Sequence, residues 1–338
     1  MTGRVLVTGA AGFIGGYVVG ELLSRGYLVR GVDNFSKYGQ VRPAHAGRAG
    51  YQLVRGDAAD AGLLAGLLAD CDHFIAGAAM VGGIGYIHAY PYDLLAANER
   101  LTAAACDAAI AARRRGRLRK VTFLSSSMVY ESARSWPSRE GDERVIPPPA
   151  TAYGFQKLAV EYFARAARDQ YGLPFTIVRP FNCVGTGEVR PARDAGTLRL
   201  ATGHVVPDLA RRVLAGEDPL RILGSGSQVR HYTYGGDLAR GIVAAMEHPD
   251  AAGEDFNLAS DRGTTVAELA AMIWRKVRGP DDPPRLASEP PYPGDVQRRV
   301  PDTAKARRVL GFTATTPLER VLDEVIAWVA DAMAAGLL

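Results

Sequence analysis

The apolar run Val5-Leu6-Val7-Thr8 passes directly into Gly9-Ala10-Ala11-Gly12-Phe13-Ile14-Gly15, and a helix-forming stretch follows without a break. This succession of strand, glycine turn and helix limits the possible folds more than any other feature of the chain. Gly9 permits the tight bend, Gly12 lets the backbone approach a ligand, and Gly15 lets the helix pack closely on the strand. The first helical turn then offers unpaired N–H groups, which suit the pyrophosphate of a dinucleotide. Asp33 ends the next apolar run, 24 residues after Gly9. A carboxylate there accepts hydrogen bonds from the adenosine ribose and repels a 2′-phosphate, so NAD is favoured over NADP. Arg30 and Lys37 are near enough in sequence to weaken that preference.

Apolar strand-like runs alternate with alanine- and leucine-rich helical stretches through the first half, the pattern of a parallel sheet covered on both faces. The expected order is strand 4–8, helix 13–25, strand 28–32, strand 51–56, helix 60–69, strand 73–76, helix 93–112, strand 120–125, helix 151–170 and strand 174–179. After Arg179-Pro180 the chain becomes rich in Gly, Pro and Arg, with shorter helices expected around 206–215, 265–277 and 318–332. The expected fold is α/β, a doubly wound parallel (Rossmann) sheet with a smaller, interleaved C-terminal substrate-binding lid. Residues 1–180 would form the dinucleotide-binding domain and 181–338 mainly the lid. A return to the main domain is expected around 232–260, carried by the strand-like Glu254-Asp255-Phe256-Asn257-Leu258.

Bulk properties narrow the function. A net charge of +4 and a pI near 9.0 suit an anionic small molecule but are too mild for nucleic acid or a membrane surface. The basic run Arg113-Arg114-Arg115-Gly116-Arg117-Leu118-Arg119-Lys120 reads as a solvated helix C-terminus, where cations complement the helix dipole. Cys71, Cys106 and Cys183 are odd in number and widely spaced, so neither a disulfide framework nor a metal site is expected, and a reducing cytoplasm fits. The N-terminus lacks a charged leader region, and no apolar run approaches the roughly 18 residues needed to span a bilayer.

Tyr153 and Lys157 stand four residues apart in a helical stretch and share one face, where an ammonium can lower a phenol pKa. Behind a dinucleotide turn, this pair points to hydride-transfer chemistry. Asp57 closes Arg55-Gly56-Asp57, where it can accept from an adenine amino group or cap a loop. Further along come Asn98, then Ser125-Ser126-Ser127-Met128-Val129-Tyr130, then Arg179-Pro180-Phe181-Asn182-Cys183-Val184-Gly185. In this order the motifs resemble those of the extended short-chain dehydrogenase/reductases of the nucleotide-sugar epimerase and dehydratase group, over nearly the whole length.

The resemblance implies that Tyr153 is the base on a sugar hydroxyl, that Ser126 hydrogen-bonds the same oxygen, and that Lys157 supports the phenolate. It implies NAD contacts at Gly9, Gly12, Phe13, Ile14, Gly15, Asp33, Asn34, Asp57, Ala58, Ala76, Asn98, Tyr153, Lys157 and Pro180. It implies contacts to a nucleotide-sugar substrate at Gly83, Ser127, Met128, Asn182, His204, Val205, Arg230 and Arg299, with Arg230 suited to a diphosphate and Arg299 a second candidate for it, rivalled by its neighbour Arg298. The segment Ala79–His88 stands at the family's substrate loop but departs from its common pattern, being closer to the Gly-Gly loop of GDP-fucose synthase and GDP-mannose 3,5-epimerase, which leaves the sugar class open. Relatives are often homodimers paired through the helices here expected at 93–112 and 151–170.

The reaction turns on a second acid/base. Dehydratases and decarboxylases of the group place glutamate where this chain has Met128, and the fucose synthase branch places cysteine there. Methionine transfers no proton. His204 aligns with the second acid/base histidine of that branch, so half of its pair is present. The simplest remaining chemistry is 4-epimerisation through a transient 4-keto sugar, on a UDP-hexose or UDP-hexuronate. Arg190, Arg193 and Arg199 are candidates for recognising a carboxylate. The alternatives are a dehydratase, decarboxylase or 3,5-epimerase of the same group, or an NAD-sensing binding protein without catalysis.

Overall fold

The computed structural model describes residues 3–37, 44–188, 204–292 and 294–338. Its central sheet is built from β1 (Arg4–Thr8), β2 (Leu28–Asp33), β3 (Tyr51–Arg55), β4 (His73–Ala76), β5 (Lys120–Leu124), β6 (Phe175–Pro180) and a last strand, Asp255–Leu258. All seven are parallel, in the spatial order Asp255–Leu258, β6, β5, β4, β1, β2, β3. Val5 of β1 lies opposite Val29 on one side and His73 on the other. The chain therefore winds outward from β1 in both directions, and the switch point between β1 and β4 opens a crevice at the carboxyl ends of the strands. Every residue of β5 is buried, because helices cover both faces.

The helices are α1 (Phe13–Ser24), α2 (Ala61–Leu67), α3 (Ile84–Ala89), α4 (Pro91–Arg114), α5 (Ala152–Tyr171), α6 (Val205–Leu214), α7 (Gly235–Glu247), α8 (Val266–Arg278), α9 (Ala304–Leu310) and α10 (Leu318–Ala334). On one face of the sheet, Val18, Val19 and Leu22 of α1 pack with Leu238, Ile242 and Met246 of α7. On the other, Leu64 of α2, Ala105, Ala108 and Ala109 of α4, and Val160 and Ala164 of α5 share a core. The lid has its own core, in which Val206 and Leu209 of α6, Ile273 and Trp274 of α8, and Leu322 and Val325 of α10 meet. Among the described residues, no helix is long and apolar enough to cross a membrane.

Two local expectations are corrected and one helix is added. The Gly-rich segment after β4 is not wholly a loop, since α3 occupies Ile84–Ala89. α7 was not among the expected helices, and it opens on Gly235-Gly236. A Cβ at Gly235 would lie 2.5 Å from the Tyr17 ring, so the glycine is what lets α7 approach α1. Lys120 does not belong to a solvated run. It is buried at the start of β5, and its Nζ donates to the carbonyls of Ala245 (2.7 Å) and His248 (2.8 Å), capping the C-terminal end of α7. Burial lowers its pKa to about 8.

Candidate active site

The glycine turn forms a cradle that side chains would fill. Gly9 has φ +71°, and its N–H donates to the Val32 carbonyl at 2.9 Å. A Cβ on Gly15 would stand 2.0 Å from the Gly9 oxygen, and one on Gly9 would stand 3.0 Å from the Ala78 Cα. Gly12 caps α1 with no side-chain hydrogen bond, which leaves first-turn N–H groups for a ligand. Asp33 is tied to this turn: its carboxylate accepts from Ala11 N–H (3.0 Å) and Phe35 N–H (2.8 Å). A bare glycine cradle at a helix N-terminus beside an oriented carboxylate fits the pyrophosphate and ribose of a dinucleotide. Phe13, Ile14, Asn34, Asp57, Ala58 and Pro180 line the same cavity.

Ala76 and Asn98 do not line it. Asn98 is buried behind the wall, its Oδ1 accepting from Met80 N–H (2.7 Å) and its Nδ2 donating to Met80 O (2.9 Å). Its amide is thus used to fasten the loop after β4.

The start of α5 is fixed from outside the helix. Thr151 Oγ1 accepts from Gly154 N–H at 3.1 Å, while Glu131 accepts from the Thr151 N–H (3.1 Å) and hydroxyl (2.8 Å). A Cβ at Gly154 would be 2.6 Å from both Glu131 Oε2 and Pro149 Cβ, so only glycine fits beneath Tyr153. Tyr153 is half-buried in the first turn, and Lys157 lies buried one turn on. Ser126 leaves β5 in an extended conformation, its Oγ accepting from Met128 N–H at 3.2 Å, and its hydroxyl pulls the Tyr153 phenol pKa down. Ser127 and Met128 follow in a short 3₁₀ turn on the cavity wall.

The electrostatics differ from expectation in one respect. Burial pushes the Tyr153 phenol up, and the groups that pull it down are the Ser126 hydrogen bond and the Arg299 charge. Lys157 donates instead to the Leu124 carbonyl at 3.0 Å, with its Nζ 5.9 Å from the Tyr153 ring centroid, and burial lowers its own pKa to about 8. Arg299 is held down to about 10 by burial and by Arg230, against the opposing pull of Asp295, Tyr153 and Glu131. Its Nε is buried with no hydrogen-bond partner among the described residues.

On the lid side, Arg230 donates to Asp295 at 3.1 Å and to its neighbour's carbonyl, Val229 O, at 3.0 Å. Asn182 holds the uncommon φ of +39°, and its Oδ1 is buried without a hydrogen-bond partner among the described residues. Gly83 caps α3, and His204 and Val205 open α6. His88 stacks on Tyr292 with ring centroids 5.4 Å apart. Gly83, Asn182, His204, Val205, Arg230 and Arg299 share one cavity with the glycine cradle and Ser126, Tyr153 and Lys157, about 1070 Å³ in volume. That is more than a single drug-sized ligand needs and admits two nucleotides. Arg190, Arg193 and Arg199 lie outside the described residues.

Sequence reasoning missed Glu131, Glu188 and Asp295. Asp295 carried the clearest signal, a carboxylate just before the paired arginines. Among the described residues one trio of carboxylates, Glu143, Glu161 and Asp255, has ligand spacing for a metal, but Arg179 and Arg165 already fill it with positive charge.

Comparison with known proteins agrees with this geometry. The model of the family described as "NAD dependent epimerase/dehydratase family" matches residues 5–259. The chain is 32% identical over 331 residues to a UDP-glucose 4-epimerase of Mycolicibacterium smegmatis, covering 96% of this chain and 97% of the relative. It is 29% identical over 334 residues to a UDP-N-acetyl-alpha-D-glucosaminuronate decarboxylase of Bacillus cytotoxicus, covering 97% and 98%. Among solved structures, a UDP-glucose 4-epimerase of Thermotoga maritima with UDP-glucose superposes with a TM-score of 0.80 at 28% identity, covering 98% of this chain and 99% of that one.

Proposed function

Because the chain belongs to the NAD dependent epimerase/dehydratase family, we propose that it is a nucleotide-sugar 4-epimerase acting on a UDP-hexose or UDP-hexuronate. NAD is its cofactor, and when bound it supplies a nicotinamide that accepts a hydride from a carbinol carbon and returns it. The single observation that carries the reading is that Ser126, Tyr153 and Lys157 line the same cavity as the glycine cradle. Tyr153, as phenolate, takes the C4 hydroxyl proton, and Ser126 holds that oxygen in line. After the 4-keto sugar turns over to present its opposite face for reduction, Tyr153 returns the proton to the same C4 oxygen. Arg230 and Arg299 hold the diphosphate while the hexose rotates.

Met128 supports epimerisation over dehydration or decarboxylation, since it lines the cavity and moves no proton. Turnover of UDP-glucose and UDP-glucuronate in deuterium oxide tests the choice. The expected product is the C4 epimer with no solvent deuterium on carbon. Deuterium at C3 or C5, or release of CO2, would assign the chain to the dehydratases, 3,5-epimerases or decarboxylases. NAD binding with no turnover of either sugar nucleotide is what a purely sensing protein would give.

The proposal extends to a homodimer built on α4 and α5, where Tyr92, Phe155 and Tyr162 stand 78%, 47% and 63% exposed. It also extends to the cytoplasm, in keeping with three free thiols.

A further inference from the structure

Glu188 is a carboxylate only 6% exposed at the edge of the lid, and such a group persists inside a protein only where partners compensate it. Its Oε1 accepts from two groups of one residue, the His204 backbone N–H at 3.2 Å and the His204 ring at Nδ1. Lys37, from the segment after β2, adds a positive charge that also favours the carboxylate. Two bonds from one oxygen to one residue fix both the position of His204 and the rotation of its ring. A carboxylate can only accept, so Nδ1 carries the proton. Nε2 is the remaining ring nitrogen, and it has no hydrogen-bond partner among the described residues. The His204 side chain is 46% exposed and lines the cavity that holds Tyr153 and the two diphosphate arginines.

From this arrangement we infer that Glu188 is a positioning residue for substrate recognition: it sets His204 so that Nε2 hydrogen-bonds a hydroxyl of the hexose ring. A sugar hydroxyl both donates and accepts, so it can meet Nε2 whichever role that nitrogen takes. Arg230 and Arg299 serve the anionic part of the ligand, and the Glu188–His204 pair serves the neutral part. The inference rests on the nucleotide-sugar reading and adds to it a group that distinguishes the hexose from the nucleotide.

The test is a set of calorimetric affinities for NAD, UDP, and whichever of UDP-glucose and UDP-glucuronate the wild type binds more tightly. Glu188→Gln and His204→Ala are each expected to weaken the sugar nucleotide about tenfold, the size of one well-formed polar contact, with UDP and NAD unchanged. The double variant is expected to bind no more weakly than His204→Ala alone, because Glu188 acts only through the ring. Glu188→Asp is expected to recover part of the loss. If Glu188→Gln does not fold, the His204→Ala affinities decide on the hexose contact. Unchanged sugar-nucleotide binding in both single variants would overturn the inference while leaving the proposed function standing. So would an equal loss for UDP, or additive losses in the double variant. A wild type that binds neither sugar nucleotide nor UDP would remove both.

Discussion

At Tyr153 two opposed effects meet on one oxygen. Burial favours the neutral phenol, while the Ser126 hydrogen bond and the Arg299 charge favour the phenolate. A base must be ionised to act, so the rate should climb as pH rises through the phenol pKa. Ser126→Ala and Arg299→Gln each remove a stabiliser of the phenolate, so the rising limb of the kcat profile is expected to move to higher pH in both. Tyr153→Phe removes the base and is expected to lower kcat by about 10²- to 10⁴-fold with NAD affinity kept. An unmoved limb, or undiminished turnover in Tyr153→Phe, would contradict these assignments. The Tyr153/Lys157 pair was legible in the sequence because both residues sit on one helix face. Arg299 beside the phenol was not, because it arrives from a loop near the other end of the chain. Asn98 misled for a related reason: its family position was plain, but its pairing with the Met80 backbone exists only once the loop folds over it.

At the scale of elements, one buried ionic knot holds α5 to the sheet. Arg179 of β6 is fully buried and reaches Glu161 of α5 through two bonds of 2.7 and 2.6 Å, Asp255 of the last strand at 2.6 Å, and the Tyr130 hydroxyl at 2.7 Å. Burial pushes the Asp255 carboxyl up, but Arg179 and Lys305 outweigh it and hold that carboxyl below its ordinary range. The stability it contributes is therefore present above the unfolded carboxylate pKa and is lost as pH falls toward the folded value. Glu161→Gln breaks the bidentate pair and is expected to cost about 3–5 kcal/mol in urea unfolding at neutral pH, since it leaves a buried guanidinium undercompensated. A loss below about 1 kcal/mol would mean that Asp255 and Glu143 already suffice. The strands themselves were readable, because a sheet buried on both faces needs apolar runs without alternation. α7 was hidden by its opening glycines, although Leu238, Ile242 and Met246 recur at helical spacing. Lys120 was hidden because nothing local reveals that two carbonyls near the end of α7 await its ammonium.

At the scale of the whole molecule, Asp255–Leu258, read from the sequence as a strand, pairs with β6 and completes the central sheet, and one cavity is lined from both the glycine turn and the C-terminal segment. The proposed dimer belongs to this scale. Replacing Phe155 and Tyr162 by glutamate puts charge on the α5 face offered to a partner, and sedimentation is expected to change from dimer to monomer. A monomeric wild type, or a double variant that still sediments as a dimer, would contradict it. The central claim is that one sugar carbinol carbon is oxidised and then reduced again without the hydride leaving the cavity. UDP-glucose carrying deuterium at C4 tests it most directly, by mass spectrometry of the product formed in ordinary water. The account predicts a C4-epimerised product that keeps its deuterium at C4; a product whose C4 deuterium has been lost to solvent would contradict it.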